Sequence, residues 1–488
     1  MNRITTLILT ALLPASFPPA HAAETNTAKP NIIVILTDDH GYADLSSQRQ
    51  LPDVKTPNID RLAAQGVRMT AGYVTAPQCS PSRAGLLTGR YQQKFGLDHI
   101  PDDPMPLDVT TIPKRLKQAG YVSGMIGKWH LDPNWTCLKW IRQNLPDAKP
   151  GPNGHVSIPE KFRRQYSALA QGFDECFQGE MRQYFATYQL DGRPLDPHGE
   201  IVTDSGYRLE TQTAAALAFL KRHHDQPFFL YLAYFGPHVP LEATEKYLSR
   251  FPGPMPERRR YALAMLSAID DGVGQITAAL QQYGIRDNTL IIFLSDNGAP
   301  LQTTMPDTKP ITENGWDGSR NDPWIGEKGM LTEGGIRVPF IMNWPGHLPV
   351  GKLYEQPVSA LDIAATAVAL AGLKPDDRLD GVNLLPHLTG EKTEPPHPAL
   401  YWRFWNQAAV RSGRWKYLQA GNATNYLFDV TTDEHEKRNL ITAHPEIARE
   451  LATKLAGWTK QLDPPGNPDR PLKEGEKRWY EYYLGLTD

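Results

Sequence analysis

Long apolar runs that end abruptly in charged or turn-forming residues set the rhythm of this chain. Residues 31–37 (NIIVILT) are apolar without alternation, the pattern of a strand buried on both faces, and Asp38-Asp39 follow at once. Residues 121–126 form a second run, followed by Gly127-Lys128-Trp129-His130. A third, 228–235, ends in Gly236-Pro237-His238, and a fourth, 289–295, ends in Asp296-Asn297-Gly298. Residues 338–344 supply a further strand. Between these runs the pattern turns helical. Thr56-Pro57 opens a short helix that stops at Gly66, and Thr111 with Pro113 opens another over 112–119, closed by Gly120. Longer helical patterns cover 205–222 and 258–283. This order predicts an α/β fold with a large, mostly parallel sheet flanked by helices.

The style changes after a linker at 391–398. Short aromatic-rich segments at 400–405, 409–412, 415–418 and 426–430 precede a helical pattern over 445–462. They predict a smaller C-terminal antiparallel sheet plus helix, so that 23–390 form an N-terminal domain and 391–488 a C-terminal subdomain. The tail after Asp463, rich in proline, glycine and charge, is expected to wrap the surface. No internal repeats are found.

The ends of the four long strands carry Asp-Asp, Lys-x-His, Pro-His and Asp-Asn. In open parallel sheets ligands bind beyond the carboxyl ends of the strands, so four loops distant in sequence are expected to meet at one site. Aspartate, asparagine and glycine after a strand are also ordinary turn formers. That alternative does not account for lysine and histidine at such positions.

The chain has 488 residues, 40% hydrophobic and 22% charged, enough for a large core. A formal net charge of −3 leaves no global basic footprint, and no nucleic-acid partner is expected. At the N-terminus, Arg3, the apolar stretch 4–13 and Ala20-His21-Ala22 read as a signal peptide over 1–22. The stretch is short for a membrane span, and no cysteine follows the cleavage site to carry a lipid. The protein is therefore expected to be exported, periplasmic or secreted, with no membrane anchor. Export permits disulfides: Cys137 and Cys176 could pair, leaving Cys79 odd among the three cysteines. Cys79 stands in the stretch QCSPSRAGLLTGR, where it could be a nucleophile, half of a disulfide, a buried filler or a chemically altered residue. Ser80 or Ser82 can cap a helix through residues 84–87, with Pro81 in its first turn and its N-terminus offered to an anion.

Asp38, Asp39, Asp296 and Asn297 are oxygen donors that suit a hard divalent ion such as Ca²⁺ or Mg²⁺. Packed together without a cation, the three carboxylates would repel one another. Arg83, Lys128 and Lys328 are candidate anion binders, and His130 and His238 candidate proton carriers. Together they describe a site for transfer of a tetrahedral anion, phosphoryl or sulfuryl.

At these residues the chain resembles the formylglycine-dependent (type I) sulfatases of the alkaline phosphatase superfamily. The resemblance rests on Cys79-x-Pro81-Ser82-Arg83 with Leu86-Leu87-Thr88-Gly89-Arg90, which matches that family's modification signal. It extends through Thr56-Pro57-Asn58, Gly127-Lys128-Trp129-His130, Pro237-His238-Val239-Pro240, Ser295-Asp296-Asn297-Gly298 and the segment 326–339. It implies an alkaline phosphatase-like fold, conversion of Cys79 to formylglycine, and one Ca²⁺ held by Asp38, Asp39, Asp296, Asn297 and residue 79. One hydroxyl of the hydrated aldehyde would attack sulfur. Arg83 and Lys128 would steady that hydrate and the sulfate, and His238 with Lys328 would serve the leaving alcohol. His130 would take a proton from the second hydroxyl and so regenerate the aldehyde. The implied partners are a sulfated oligosaccharide or polysaccharide, for instance an algal polymer such as carrageenan or ulvan, and a formylglycine-generating or other sulfatase-maturing enzyme. Trp129, His99, Trp135, His198, Arg320 and Trp405 are candidate sugar contacts, with Trp324 and Trp316 as further candidates for shaping the pocket. One departure stands at Ile325, near where many relatives carry arginine. The rival readings are a phosphate or phosphonate ester hydrolase of the same superfamily and a non-catalytic relative that binds sulfated glycans.

Overall fold

Runs that refuse to alternate make sense once both faces of the sheet are seen. The computed structural model describes residues 29–99, 103–152, 154–301, 309–310, 312, 315–422, 424–463 and 469–486; the expected signal segment 1–22 lies outside them. In chain order the strands before residue 390 are β1 (Asn31–Thr37), β2 (Val67–Met69), β3 (Gly72–Tyr73), β4 (Val122–Gly127), β5 (Glu175–Gln178), β6 (Gln183–Ala186), β7 (Glu200–Thr203), β8 (Phe228–Ala233), β9 (Thr289–Ser295), β10 (Phe340–Asn343), β11 (Lys352–Tyr354) and β12 (Val358–Ser359). Ten of them form one sheet in the order β11-β2-β10-β9-β1-β8-β4-β5-β6-β7, and β3 pairs with β12 apart.

Its centre, β9-β1-β8-β4-β5, is parallel throughout. Each central strand feeds two cores. Ile32, Val34 and Leu36 join one apolar cluster with Leu86, Leu87 and Ile363, whereas Ile33 and Ile35 join another with Phe219, Leu263 and Ile269. The Cys79–Thr88 and Asp362–Leu370 helices thus cover one face, and the Arg208–His223 and Glu257–Gln282 helices the other. Each fully buried Ile, Val or Leu contributes about 1.5–3 kcal/mol, so a break in any of these runs would be felt at once.

The mixed edges depart from expectation. The predicted strand at 338–344 is β10, but it runs antiparallel to both β9 and β2. The strands β2, β5, β6, β7 and β11 are three or four residues long, too short to impose a period on the sequence.

The C-terminal sheet is β13 (Leu400–Phe404), β14 (Gln407–Ser412), β15 (Trp415–Ala420) and β16 (Thr424–Asp429), antiparallel in that order. One of its faces packs on the Pro445–Thr459 helix through Val410, Leu427, Leu451 and Leu455. The other shares a core with Tyr73, Val74, Leu331 and Val338 of the main body. The tail corrects the expectation of a surface wrap. Glu474–Leu484 is a helix whose Tyr480 is wholly buried in that shared core and donates to Gln407 Oε1 at 2.6 Å. No disulfide links Cys137 and Cys176, which lie in different apolar clusters.

Candidate active site

Register brings the strand ends together. Thr37 of β1 pairs with Ser295 of β9, and Gly127 of β4 with Ala233 of β8, so the residues that follow emerge along one edge. The ladder continues one step past the strands: Asp296 N donates to Thr37 O at 3.0 Å, Asp38 N to Gly236 O at 3.0 Å and Lys128 N to Ala233 O at 2.9 Å. Then the backbone turns sharply. Asp39 and His130 adopt left-handed φ of 57° and 55°, a conformation that costs a non-glycine residue energy and persists only where the surroundings impose it.

Cys79 is the first residue of the Cys79–Thr88 helix, every residue of which is buried. Neither Ser80 nor Ser82 caps it, because the helix begins at Cys79, two residues earlier than a Ser80 cap requires, with Gln78 at the N-cap. Ser80 instead donates to the His130 carbonyl at 2.6 Å and ties the helix start to the strained turn. One turn on, Arg83 is wholly buried. Its Nε and a terminal nitrogen grip Asp296 Oδ2 at 3.0 and 2.7 Å, and its other terminal nitrogen donates to the Lys128 carbonyl at 2.8 Å. Lys128 Nζ lies 2.6 Å from Asp38 Oδ2 and 3.9 Å from Cys79 Sγ. Lys328 Nζ reaches Asp39 Oδ2 at 2.7 Å, His238 Nε2 stands 3.7 Å from the same oxygen, and Asn297 Nδ2 donates to Asp39 Oδ1 at 2.5 Å. The expected catalytic and metal residues therefore gather at one site, buried except for the partly exposed His130, His238 and Lys328.

Charge balance decides protonation. Burial alone would raise Asp38, but Lys128, His238 and Arg83 outweigh it and hold the carboxyl well below its usual range. Burial likewise opposes ionisation of Asp39, which Lys328 and His238 keep low. Asp296 has no such surplus: burial, then the Asp38 charge, push it up to about 7. Burial drives the Cys79 thiol well above its ordinary value despite Lys128 and Lys328, so as a thiol it is protonated and a weak nucleophile. Burial and then Lys128 depress both histidines, His238 to about 4 and His130 well below the usual range.

Ligand atoms of Asp38, Asp39, Cys79 and Asp296 all lie within 4.8 Å of one another. Asn297 Oδ1 is buried with no hydrogen-bond partner among the described residues. An orphaned amide oxygen beside three crowded carboxylates fits a hard divalent cation, which would accept all four oxygens and relieve the repulsion that raises Asp296.

Two site residues were not singled out from sequence. Asp317, 1% exposed, can bring a carboxylate oxygen within 4.8 Å of ligand atoms of Asp39 and His238; burial and Asp39 raise its pKa well above the ordinary value. It sits in an irregular loop, where no periodicity marks it. Glu180 follows β5, next to β4 in the parallel sheet, and acts electrostatically on Lys128 and Asp38. It obeys the strand-end rule, but β5 is too short to read.

The expected sugar contacts divide. Trp129 and Trp135 line a cleft of about 1530 Å³ that also includes Gln78 and His130. His99 is buried edge-on against Trp405, Arg320 is paired with Asp322, Trp324 lies under Arg337, and Trp316 is buried with its Nε1 on Ser319 O. None of these, nor His198, borders that cleft. Ile325 accepts a backbone hydrogen bond from Gly334 at 2.8 Å, in the loop that delivers Lys328.

Comparison with known proteins agrees with the geometry. A family model described as "Sulfatase" matches residues 30–373, and one described as "N-sulphoglucosamine sulphohydrolase, C-terminal" matches 323–461. The chain is 34% identical over 419 residues to N-acetylgalactosamine-6-sulfatase of Mus musculus, covering 79% of this chain and 71% of that protein. It is 30% identical over 497 residues to arylsulfatase A of Bos taurus, covering 91% and 88%. A crystal structure of Ps i-CgsB in complex with k-i-k-neocarrahexaose superposes with a TM-score of 0.73 at 30% identity, over 93% of this chain and 97% of that one. The phosphonate monoester hydrolase of Agrobacterium radiobacter, at 22% identity and a TM-score of 0.63, shares the fold.

Proposed function

The chain belongs to the sulfatase family and is an enzyme that hydrolyses sulfate esters, and we propose that it removes sulfate from a carbohydrate of the carrageenan or ulvan type through an oxidised Cys79 and a divalent metal. The observation that carries this reading is the meeting of Cys79, three carboxylates, Arg83, Lys128 and Lys328 at one buried point. A protonated, buried thiol is poorly made for attack, whereas the same position is well made for an oxygen nucleophile held among cations.

Conversion of Cys79 to formylglycine by a maturing enzyme supplies, once hydrated, a nucleophilic oxygen, and Ca²⁺ held by Asp38, Asp39, Asp296 and Asn297 supplies Lewis-acid activation there. The chain's own groups do the rest. Arg83, locked by Asp296 and the Lys128 carbonyl, fixes the floor of the site. Lys128 places a permanent charge beside residue 79 and the incoming sulfate; Asp38 outweighs the burial that would otherwise neutralise it. Lys328 and His238 converge from the other side on Asp39: Lys328, charged, stabilises and protonates the leaving alcohol oxygen, and His238, its pKa pushed down to about 4, assists only in the fraction that carries a proton. His238 Nδ1 is turned to the Val239 carbonyl at 2.6 Å, which leaves Nε2 facing the reaction. His130, neutral at physiological pH and with no partner for its Nδ1 among the described residues, is the base that takes the proton when residue 79 is reset.

We read 23–390 as the catalytic domain and 391–488 as a subdomain that braces it. No helix among the described residues is long and apolar enough to cross a membrane, and the signal-like start supports export. The test is sulfate release from defined carrageenan and ulvan oligosaccharides, alongside matched aryl sulfate and aryl phosphate esters. Faster cleavage of the phosphate ester would overturn the reading in favour of a phosphate or phosphonate ester hydrolase.

A further inference from the structure

The cleft beside residue 79 is larger than a sulfate-bearing sugar needs. Its volume is about 1530 Å³, whereas pockets that enclose a drug-sized ligand run to roughly 300–1,000 Å³. It lies between the loop that follows β4 and the β5–β6 hairpin. Gln78, Trp129, His130 and Glu180 mark its catalytic end.

Two features of the lining point to an occupant. Eight large hydrophobic side chains are exposed among the described residues, and four of them, Trp135, Leu138, Met181 and Ile201, line this one cleft. Trp135 is 51% exposed and held by a stacked His155 ring at 3.8 Å, so it presents a braced flat face. The cleft also carries three arginines with unequal partners. Arg163 is matched to Asp132 at 2.9 Å. Arg164 makes two long contacts, with Glu160 and with the Gly199 carbonyl, each at 3.4 Å, and lies over the Phe185 ring. Arg182, exposed in the hairpin turn, has no ion pair among the described residues. Asp132 and Glu160 of the lining answer Arg163 and Arg164, and Glu180 lies at the catalytic end, so the unmatched charge on the outer rim is Arg182, beside an apolar platform; that combination suits neither a neutral apolar ligand nor a cation. It suits a sugar ring that carries an anion, since guanidinium forks match sulfate and carboxylate oxygens.

We propose that this cleft is a subsite for a second anionic sugar residue next to the one being desulfated, with Trp135 stacking the ring and Arg182, assisted by Arg164, holding its sulfate or carboxylate. The inference rests on the sulfated-carbohydrate reading above and adds that the enzyme recognises an oligosaccharide rather than a lone sugar.

Arg182→Gln and Trp135→Ala test it, because both side chains are exposed and neither belongs to the catalytic set. Titration calorimetry with the non-reacting Cys79→Ala protein would use two probes: a carrageenan tetrasaccharide, anionic through sulfate alone, and a chondroitin 6-sulfate tetrasaccharide, which adds carboxylates. Each substitution should weaken binding of at least one probe about tenfold, roughly 1.4 kcal/mol. Measured in the Cys79-containing enzyme, Arg182→Gln should leave turnover of 4-methylumbelliferyl sulfate unchanged. The probe that loses affinity identifies the anion. Unchanged binding of both probes, no binding of either, or an equal loss on the aryl sulfate in Arg182→Gln would overturn the subsite. If the unsubstituted enzyme binds a tetrasaccharide but releases sulfate from no ester, the subsite stands and the proposed function falls.

Discussion

Replacing Lys416 by methionine should weaken the whole molecule and the active site with it. Lys416 Nζ sits between Glu333 Oε1 and Glu436 Oε1, 2.9 Å from each, with all three side chains wholly buried. Glu333 also receives Tyr73 at 2.6 Å and Arg337 at 3.0 Å, whereas among the described residues Glu436 has the Glu333 backbone N–H at 2.7 Å besides Lys416. Burial already pushes Glu436 up to about 7 with the lysine in place, so without it this carboxyl is stranded. Removing one partner of a buried ion pair costs about 3–5 kcal/mol. An unfolding entropy of about 2.1 cal/mol/K per residue gives about 1 kcal/mol/K for 488 residues, hence a Tm lowered by about 3–5 °C. The damage should reach the site because Glu333 opens the Glu333–Ile336 helix, whose Gly335 carbonyl receives Gly298 N at 3.0 Å directly after Asn297. Differential scanning calorimetry and kcat/KM on an aryl sulfate would measure both effects. The Lys416→Met/Glu436→Gln double variant should recover a large part of the loss, since it no longer buries a carboxyl that has lost its partner and must take up a proton. A Tm lowered by less than about 1 °C, or a double variant no better than the single, would refute this account of the cluster.

Gly298→Ala should abolish metal-dependent activity: a Cβ there would collide with the Gly334 carbonyl oxygen, and intact turnover would show that the Asn297 turn can shift freely. Ca²⁺ at about 100 times its dissociation constant should stabilise the protein by about 2.7 kcal/mol and Asp296→Ala should remove that response; a Tm indifferent to both Ca²⁺ and Mg²⁺ would contradict the metal site. His397 Nε2 meets Asp362 Oδ1 at 2.8 Å, and although burial opposes the charge, Asp362 raises its pKa. A folded pKa above the unfolded value of about 6.5 gives stability that is full below that pH and lost as pH rises through the folded value. His397→Gln should therefore lower Tm more at about pH 5.5 than at about pH 8.5, and equal losses would refute the linkage.

Much of this was legible because the site is built on long buried strands. The seven-residue β1 and β9 coincide with the runs at 31–37 and 289–295, and the reactive pairs follow them directly. Burial on both faces removes alternation, and that makes such strands easy to read. Short edge strands carry no such signal, and Glu180 was hidden behind one of them. Asp317 was hidden for a different reason, since its position depends on a loop with no period at all. The serine caps failed because sequence fixes a helix start only to within a residue or two, and here that residue is Cys79 itself. Trp316, Trp324 and Trp405 lie away from the cleft that Trp129 and Trp135 line, because tryptophan is as useful in a core as in a cleft; Trp135 is set apart by its exposure.

The most direct test is the mass of the peptide carrying residue 79, taken from enzyme co-expressed with a sulfatase-maturing enzyme and paired with the specific activity of the same preparation. The account predicts an aldehyde in place of the thiol and a sulfate-releasing activity proportional to the converted fraction. A fully active enzyme with an unmodified Cys79 thiol would contradict it.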